Sequence, residues 1–141
     1  MHNRKKCSYI LTIQDGFTQY LVAVPIPDQQ TDTVVEAIIH HWVYVFGCME
    51  TLHTDRGTNF TSSLFNEVIK KLGIVKTVTP PYSPEGDRVE RAHRVLGDVL
   101  RADDRFASQQ WTAKLPAAVI AYNGTVNRMT GVSPFEAVFH R

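Results

Sequence analysis

A chain of 141 residues and 15.9 kDa has room for one compact domain and not for a second core of ordinary size. Fifteen Lys and Arg against fourteen Asp and Glu leave a net charge of +1, which excludes a polybasic arm or an acidic tail, so any nucleic-acid contact must be local. With 43% hydrophobic and 21% charged residues the composition suits a packed globular domain, and the most apolar stretch, 38–46, is too short and too interrupted by His40 and His41 to cross a bilayer.

Residues 1–8 form a short basic lead, opening Met-His-Asn-Arg-Lys-Lys. Residues 9–14 and 20–24 are rich in β-branched and aromatic side chains on either side of an Asp15-Gly16 turn signal, which predicts an antiparallel hairpin. Thr33 and Glu36 fit a capping box, apolar residues recur at Val34, Ile38, Trp42 and Val45, and Gly47 supplies a stop, so a helix is expected over 33–46. Residues 49–54 read as a short strand ending at Asp55, followed by a turn at Arg56-Gly57-Thr58. Ser62 or Thr61 can cap a second helix in which Leu64, Phe65, Val68, Ile69 and Leu72 share a face before Gly73 ends it. A strand over 74–78 follows, and three prolines and a glycine within 80–87 mark a loop.

A third helix is expected over 88–103, with Val89, Ala92, Leu96 and Val99 as its buried stripe. Trp111, Leu115, Val119 and Tyr122 make another helical stripe, which Pro116 should kink or begin. Ser133-Pro134-Phe135-Glu136 combines an N-cap, a proline at the first helical position and a capping-box glutamate, and so opens a last short helix. The order β, β, α, β, α, β, α, α, α predicts an α/β fold, a mixed sheet flanked by helices in a single domain over 1–141. Cys7 and Cys48 lack Cys/His ligand spacing, which supports neither a zinc site nor a disulfide framework and fits an intracellular, reducing setting.

Two carboxylates hold the best positions for chemistry. Asp55 stands where a strand runs into a glycine turn, the end of a strand at which ligand sites gather in α/β sheets, although an Asx turn would use the same residue. Glu90 lies about 100° around the helix axis from Val89, in the first turn of the third helix, where the helix dipole favours a negative charge and where Arg94 at i+4 could pair with it. Hard cations such as Mg²⁺ take oxygen ligands, often from one or two carboxylates completed by phosphates. Between Arg88 and Arg101 four arginines (88, 91, 94 and 101) face Glu90 and Asp98, a local +2 to which His93 can add; the run is either a solvated helix face or a phosphate-contacting one.

Three blocks then fall in order: His53-Thr54-Asp55-Arg56-Gly57-Thr58-Asn59-Phe60, Tyr82-Ser83-Pro84-Glu85-Gly86-Asp87-Arg88-Val89-Glu90-Arg91, and Ala121-Tyr122-Asn123 with Thr130-Gly131-Val132-Ser133-Pro134-Phe135-Glu136. Together they resemble the catalytic core of retroviral and retrotransposon integrases, the last block in the manner of the Ty3/gypsy branch. The resemblance covers nearly the whole chain. It implies a ribonuclease H-like fold and a D,D-E triad for two Mg²⁺ or Mn²⁺ ions, with Asp55 as the second carboxylate and Glu90 as the third. It implies end processing and strand transfer on element and target DNA, with Asn59, Tyr82 and Arg94 as DNA contacts; on the phosphate-contacting reading of the arginine-rich helix face, Arg88 and Arg91 join them. Self-association and action in the nucleus, without a membrane, come with it.

The match departs from the family in three ways. The family's first aspartate lies in a strand before the hairpin, and no acidic residue precedes Tyr9, so the first strand and one ligand are expected to be lacking. Asp15 is expected to serve its turn. Thirty-four residues separate Asp55 from Glu90, one fewer than the family pattern, with Arg88 where a glycine usually stands. His140 replaces the glycine of a terminal Phe-Gly-Arg motif, read as a surface change. Whether the chain is an enzyme is left open by the missing aspartate, and weak metal affinity with little strand transfer is expected of it alone. The alternatives are an inactive, domesticated domain that binds nucleic acid or protein, and a ribonuclease H-type nuclease.

Overall fold

The computed structural model describes residues 6–78, 84–101 and 111–141, with the backbone alone for 84–87. Strands β1 (Tyr9–Gln14) and β2 (Leu21–Ile26) pair as the expected hairpin, closed by Ser8 N–H donating to Ile26 O at one end and Asp15 N–H to Tyr20 O at the other. The turn is longer than Asp15-Gly16. Asp15 Oδ2 accepts from the amide and hydroxyl of Thr18, both at 2.7 Å, so Asp15 serves the turn, and the left-handed residue is Gln19, at φ 65°.

The contacts divide the chain into two units, one of residues 1–11 and 24–86, the other of 12–23 and 87–141. In the first, α1 (Thr31–Ile38) continues through a π-helical segment (Ile39–Val43) into α2 (Tyr44–Phe46), and Gly47 at φ 88° ends it as expected. The helix begins two residues before the expected capping box. Thr33 bonds back to Asp28 Oδ1, which also accepts from Gln30 N–H, so Asp28 organises the start and Thr33 caps nothing. Strand β3 (Thr51–Thr54) leads to two helices, α3 (Thr58–Thr61) and α4 (Ser63–Lys71), and then to β4 (Val75–Val78). The short α3 begins at the last residue of the expected Arg56-Gly57-Thr58 turn and is an element that the sequence reading does not include.

Of the two possible caps for α4 it is Ser62 whose hydroxyl accepts from Phe65 N–H, and Gly73 at φ 74° ends the turn beyond. Strands β3 and β4 pair in parallel, Thr51 opposite Val75 through Thr54 opposite Val78. Among the described residues, then, four strands are hydrogen-bonded as two separate pairs. Val34, Ile38, Phe65, Ile69 and Ile74 are buried in this unit, and Phe60 meets Phe65 edge to face.

Helix α5 (Pro84–Arg101), whose residues from Asp87 on belong to the second unit, starts four residues before the sequence placed it. Proline at a helix start loses no hydrogen bond and has φ already set, so Pro84 opens the helix rather than extending the loop; residues 80–83 of the expected loop lie outside the described residues. The expected stripe is also corrected. Ala92 and Leu96 are buried with Leu21 and Ala118, whereas Val89, Val95 and Val99 are exposed, because the buried line runs i, i+4 through 92 and 96 to the half-buried Leu100. Helix α6 (Trp111–Gly124) carries Pro116 inside it, and α7 (Pro134–Phe139) begins with Ser133 Oγ accepting from Glu136 N–H, as expected. No helix among the described residues is long and apolar enough to cross a membrane.

Candidate active site

Asp55 follows the last residue of β3 at the carboxyl end of a parallel strand pair. Alternation along the strand buries Thr54 and turns Asp55 out, where it is exposed. Its Oδ1 accepts the Gly57 N–H at 2.8 Å, so the Asx-turn role is real, while Oδ2 has no partner among the described residues. Gly57 matters through its missing side chain. A Cβ there would lie 2.7 Å from Asn59 Oδ1 and 3.0 Å from Asp55 Oδ1, so glycine is what lets these two polar ends converge over the turn. Asn59, half-buried on α3, thereby stands beside Asp55.

Lys76, which sequence reasoning passed over, holds this corner. From β4 its ammonium donates to Phe60 O at the end of α3 and, at 2.9 Å, to Asn66 Oδ1 on α4, while lying 5.4 Å from the centre of the Phe65 ring. A lone lysine in a short strand carries no sequence signal for this. Beside it, His53 and Thr77, directly opposite in the β3–β4 register, are joined through His53 Nδ1 and Thr77 Oγ1.

Glu90, Arg91 and Arg94 are exposed on α5 and Arg88 is half-buried. No ion pair between Glu90 and Arg94 forms among the described residues, whereas Arg101 is paired with Asp98 at 3.0 Å. Glu90, Arg91 and Arg94 form no ion pair among the described residues. Tyr82 lies outside the described residues. Asp55 belongs to the first unit and Glu90 to the second.

The Ala121-Tyr122-Asn123 block has a structural role that the motif alone did not reveal. Asn123, 4% exposed, accepts from Leu21 N–H and donates to Leu21 O, both at 2.9 Å, and so acts as a strand partner for β2. Tyr122 accepts a hydrogen bond from Gln14 Nε2 at 2.9 Å. Burial pushes its phenol above 10.0, opposed by the Gln14 hydrogen bond and by the charge of Arg91.

Among the described residues no group of three Asp, Glu, His or Cys side chains could hold a metal ion. Asp55 and Glu90 are nevertheless exposed hard-oxygen donors, of the kind that suits Mg²⁺ or Mn²⁺ rather than a soft cation.

Parallel strands β3 and β4 with Asp55 at their carboxyl end, in a chain of alternating strands and helices, define an α/β protein. Residues 1–84 match the integrase core domain, and the chain belongs to that family. Over 134 residues, 94% of this chain, it is 32% identical to the retrovirus-related Pol polyprotein from transposon 412 of Drosophila melanogaster, of which it spans 11%. The chain thus spans about a tenth of the length of the curated relatives it matches. Among solved structures, the catalytic core domain of BIV integrase is 29% identical with a TM-score of 0.75, covering 93% of this chain and 85% of that one. The HTLV-2 integrase catalytic core, solved in complex with magnesium in a trimeric form, shares the fold at 14% identity, with a TM-score of 0.72 and coverage of 91% and 90%. The α/β fold is that of these ribonuclease H-like integrase cores.

Proposed function

We propose that this chain is the catalytic core of a retrotransposon integrase of Ty3/gypsy type, acting in metal-dependent processing of element DNA ends and their transfer into target DNA. The observation that carries the reading is Asp55, exposed at the end of the parallel β3–β4 pair with Asn59 converging on it over Gly57, in a member of the integrase core family. Asp55 and Glu90 are the carboxylates that would hold Mg²⁺ or Mn²⁺. When bound, such ions stabilise charge on phosphoryl oxygens and lower the pKa of an attacking hydroxyl. The chain's own residues bring the DNA. Arg88, Arg91 and Arg94, on successive turns of α5, would neutralise backbone phosphates, which gives register without sequence preference. Asn59 and Tyr82 would touch DNA beside the carboxylates. Self-association and a nuclear place of action belong to the same proposal.

The test is strand transfer of a labelled element-end duplex into plasmid DNA, with Mn²⁺ present, by this chain with an upstream strand and its aspartate restored. Asp55→Asn and Glu90→Gln should each abolish joined product while duplex binding persists. Joining undiminished by either substitution refutes the assignment.

A further inference from the structure

Glu90 must be aimed, and its surroundings on α5 offer little apolar material for the purpose. From Arg88 to Arg91 no side chain is buried, and the nearest core contact is the single methyl of Ala92. Leu96, one turn on, is buried in the same cluster and holds α5 there, so at the turn that carries Glu90 the core grips the helix by the Ala92 methyl alone. Rotation of the helix by about 20° would displace a group carried about 5 Å from its axis by about 2 Å. A polar contact does reach this turn: the His93 ring, through Nε2, is hydrogen-bonded to the hydroxyl of Thr12 in the middle of β1. His93 lies three residues after Glu90, so the two side chains are neighbours on the helix surface.

We infer that His93 is a positioning residue, which by bonding Thr12 fixes the rotation of α5 about its axis and so the direction in which Glu90 points. The inference rests on the reading of Glu90 as a metal ligand, and it adds how that ligand is held. Thr12 Oγ1 and His93 Nε2 act as one latch, so removing either should have the same effect as removing both.

The test uses Thr12→Val, which keeps the shape of a strand residue, together with His93→Ala, the double variant and His93→Gln. Amide hydrogen exchange over 91–94 should speed up about tenfold in each single variant relative to amides 118–123 of α6, with no further gain in the double variant, as expected for loss of one hydrogen bond. Broadening of the Glu90 side-chain resonance by Mn²⁺ should weaken in the same variants and recover in His93→Gln. Exchange that rises equally in α5 and α6, or not at all, or effects of the two singles that add in the double variant, would overturn the latch. If Mn²⁺ fails to broaden Glu90 in the unaltered chain, it is the ligand reading of Glu90 that falls, and the exchange rates still decide whether Thr12 and His93 hold the helix.

Discussion

Replacing Asn123 by alanine removes a side chain that satisfies two main-chain groups at once. Leu21 is fully buried, and its N–H and C=O are each bonded to Asn123 at 2.9 Å. Leaving a buried polar group unpaired costs about 1–3 kcal/mol, so two such groups at the lower half of that range, with a small cavity added, give a loss of about 3 kcal/mol. Urea unfolding followed by far-UV circular dichroism measures it. With a slope of about 2 kcal/mol per molar urea, the midpoint should fall by about 1.5 M at unchanged slope. Asn123→Asp should be no better, because a carboxylate keeps an acceptor for Leu21 N–H but sets a second oxygen against Leu21 O. A loss below about 1 kcal/mol for Asn123→Ala would show that β2 does not depend on this bridge.

Three further expectations follow from local geometry. His140 closes α7 in the left-handed conformation, φ 59°, with its N–H bonded to Glu136 O, so His140→Gly should stabilise the chain by about 0.5–1 kcal/mol in the same unfolding assay, and a loss of stability would refute the strain argument. Gly57→Ala should leave thermal stability nearly unchanged, since the obstructed atoms are the ends of the Asp55 and Asn59 side chains, yet weaken Mn²⁺ binding measured by calorimetry about tenfold; unaltered binding would count against the cradle. The Tyr122 phenol is raised above 10.0 by burial, so the folded chain holds that proton more tightly than the unfolded one. Its contribution is complete below pH 10 and is lost as pH rises past 10 through the folded value; Tyr122→Phe should flatten that part of the stability profile, and an unchanged alkaline slope would refute it.

The family and most of the elements were legible in the amino-acid sequence because they rest on short-range chemistry. The hairpin strand over Tyr9–Gln14, the stops at Gly47 and Gly73, the Ser133 cap and the position of Asp55 at a strand end all depend on residues a few places apart. The reading went astray where a local signal had two uses. Thr33 and Glu36 matched a capping box, but Asp28 lay within reach and took the Thr33 hydroxyl. Pro84 looked like a loop residue and begins a helix. At His140 the glycine usual in the family marks a backbone requirement, since the position is left-handed, and the substitution is more than a change of surface.

Sequence alone determined which residue types could do the chemistry and the order in which they occur: Asp55, Asn59, Tyr82, Glu90 and the arginines of α5. Tertiary structure decided what supports them. Lys76 reaching across to Phe60 O, Asn123 pairing with Leu21 and Thr12 bonding His93 join residues 16, 102 and 81 positions apart. Contacts at such separations leave no periodicity or spacing in the chain, because they depend on how strands and helices pack and on which buried backbone groups are then left needing a partner.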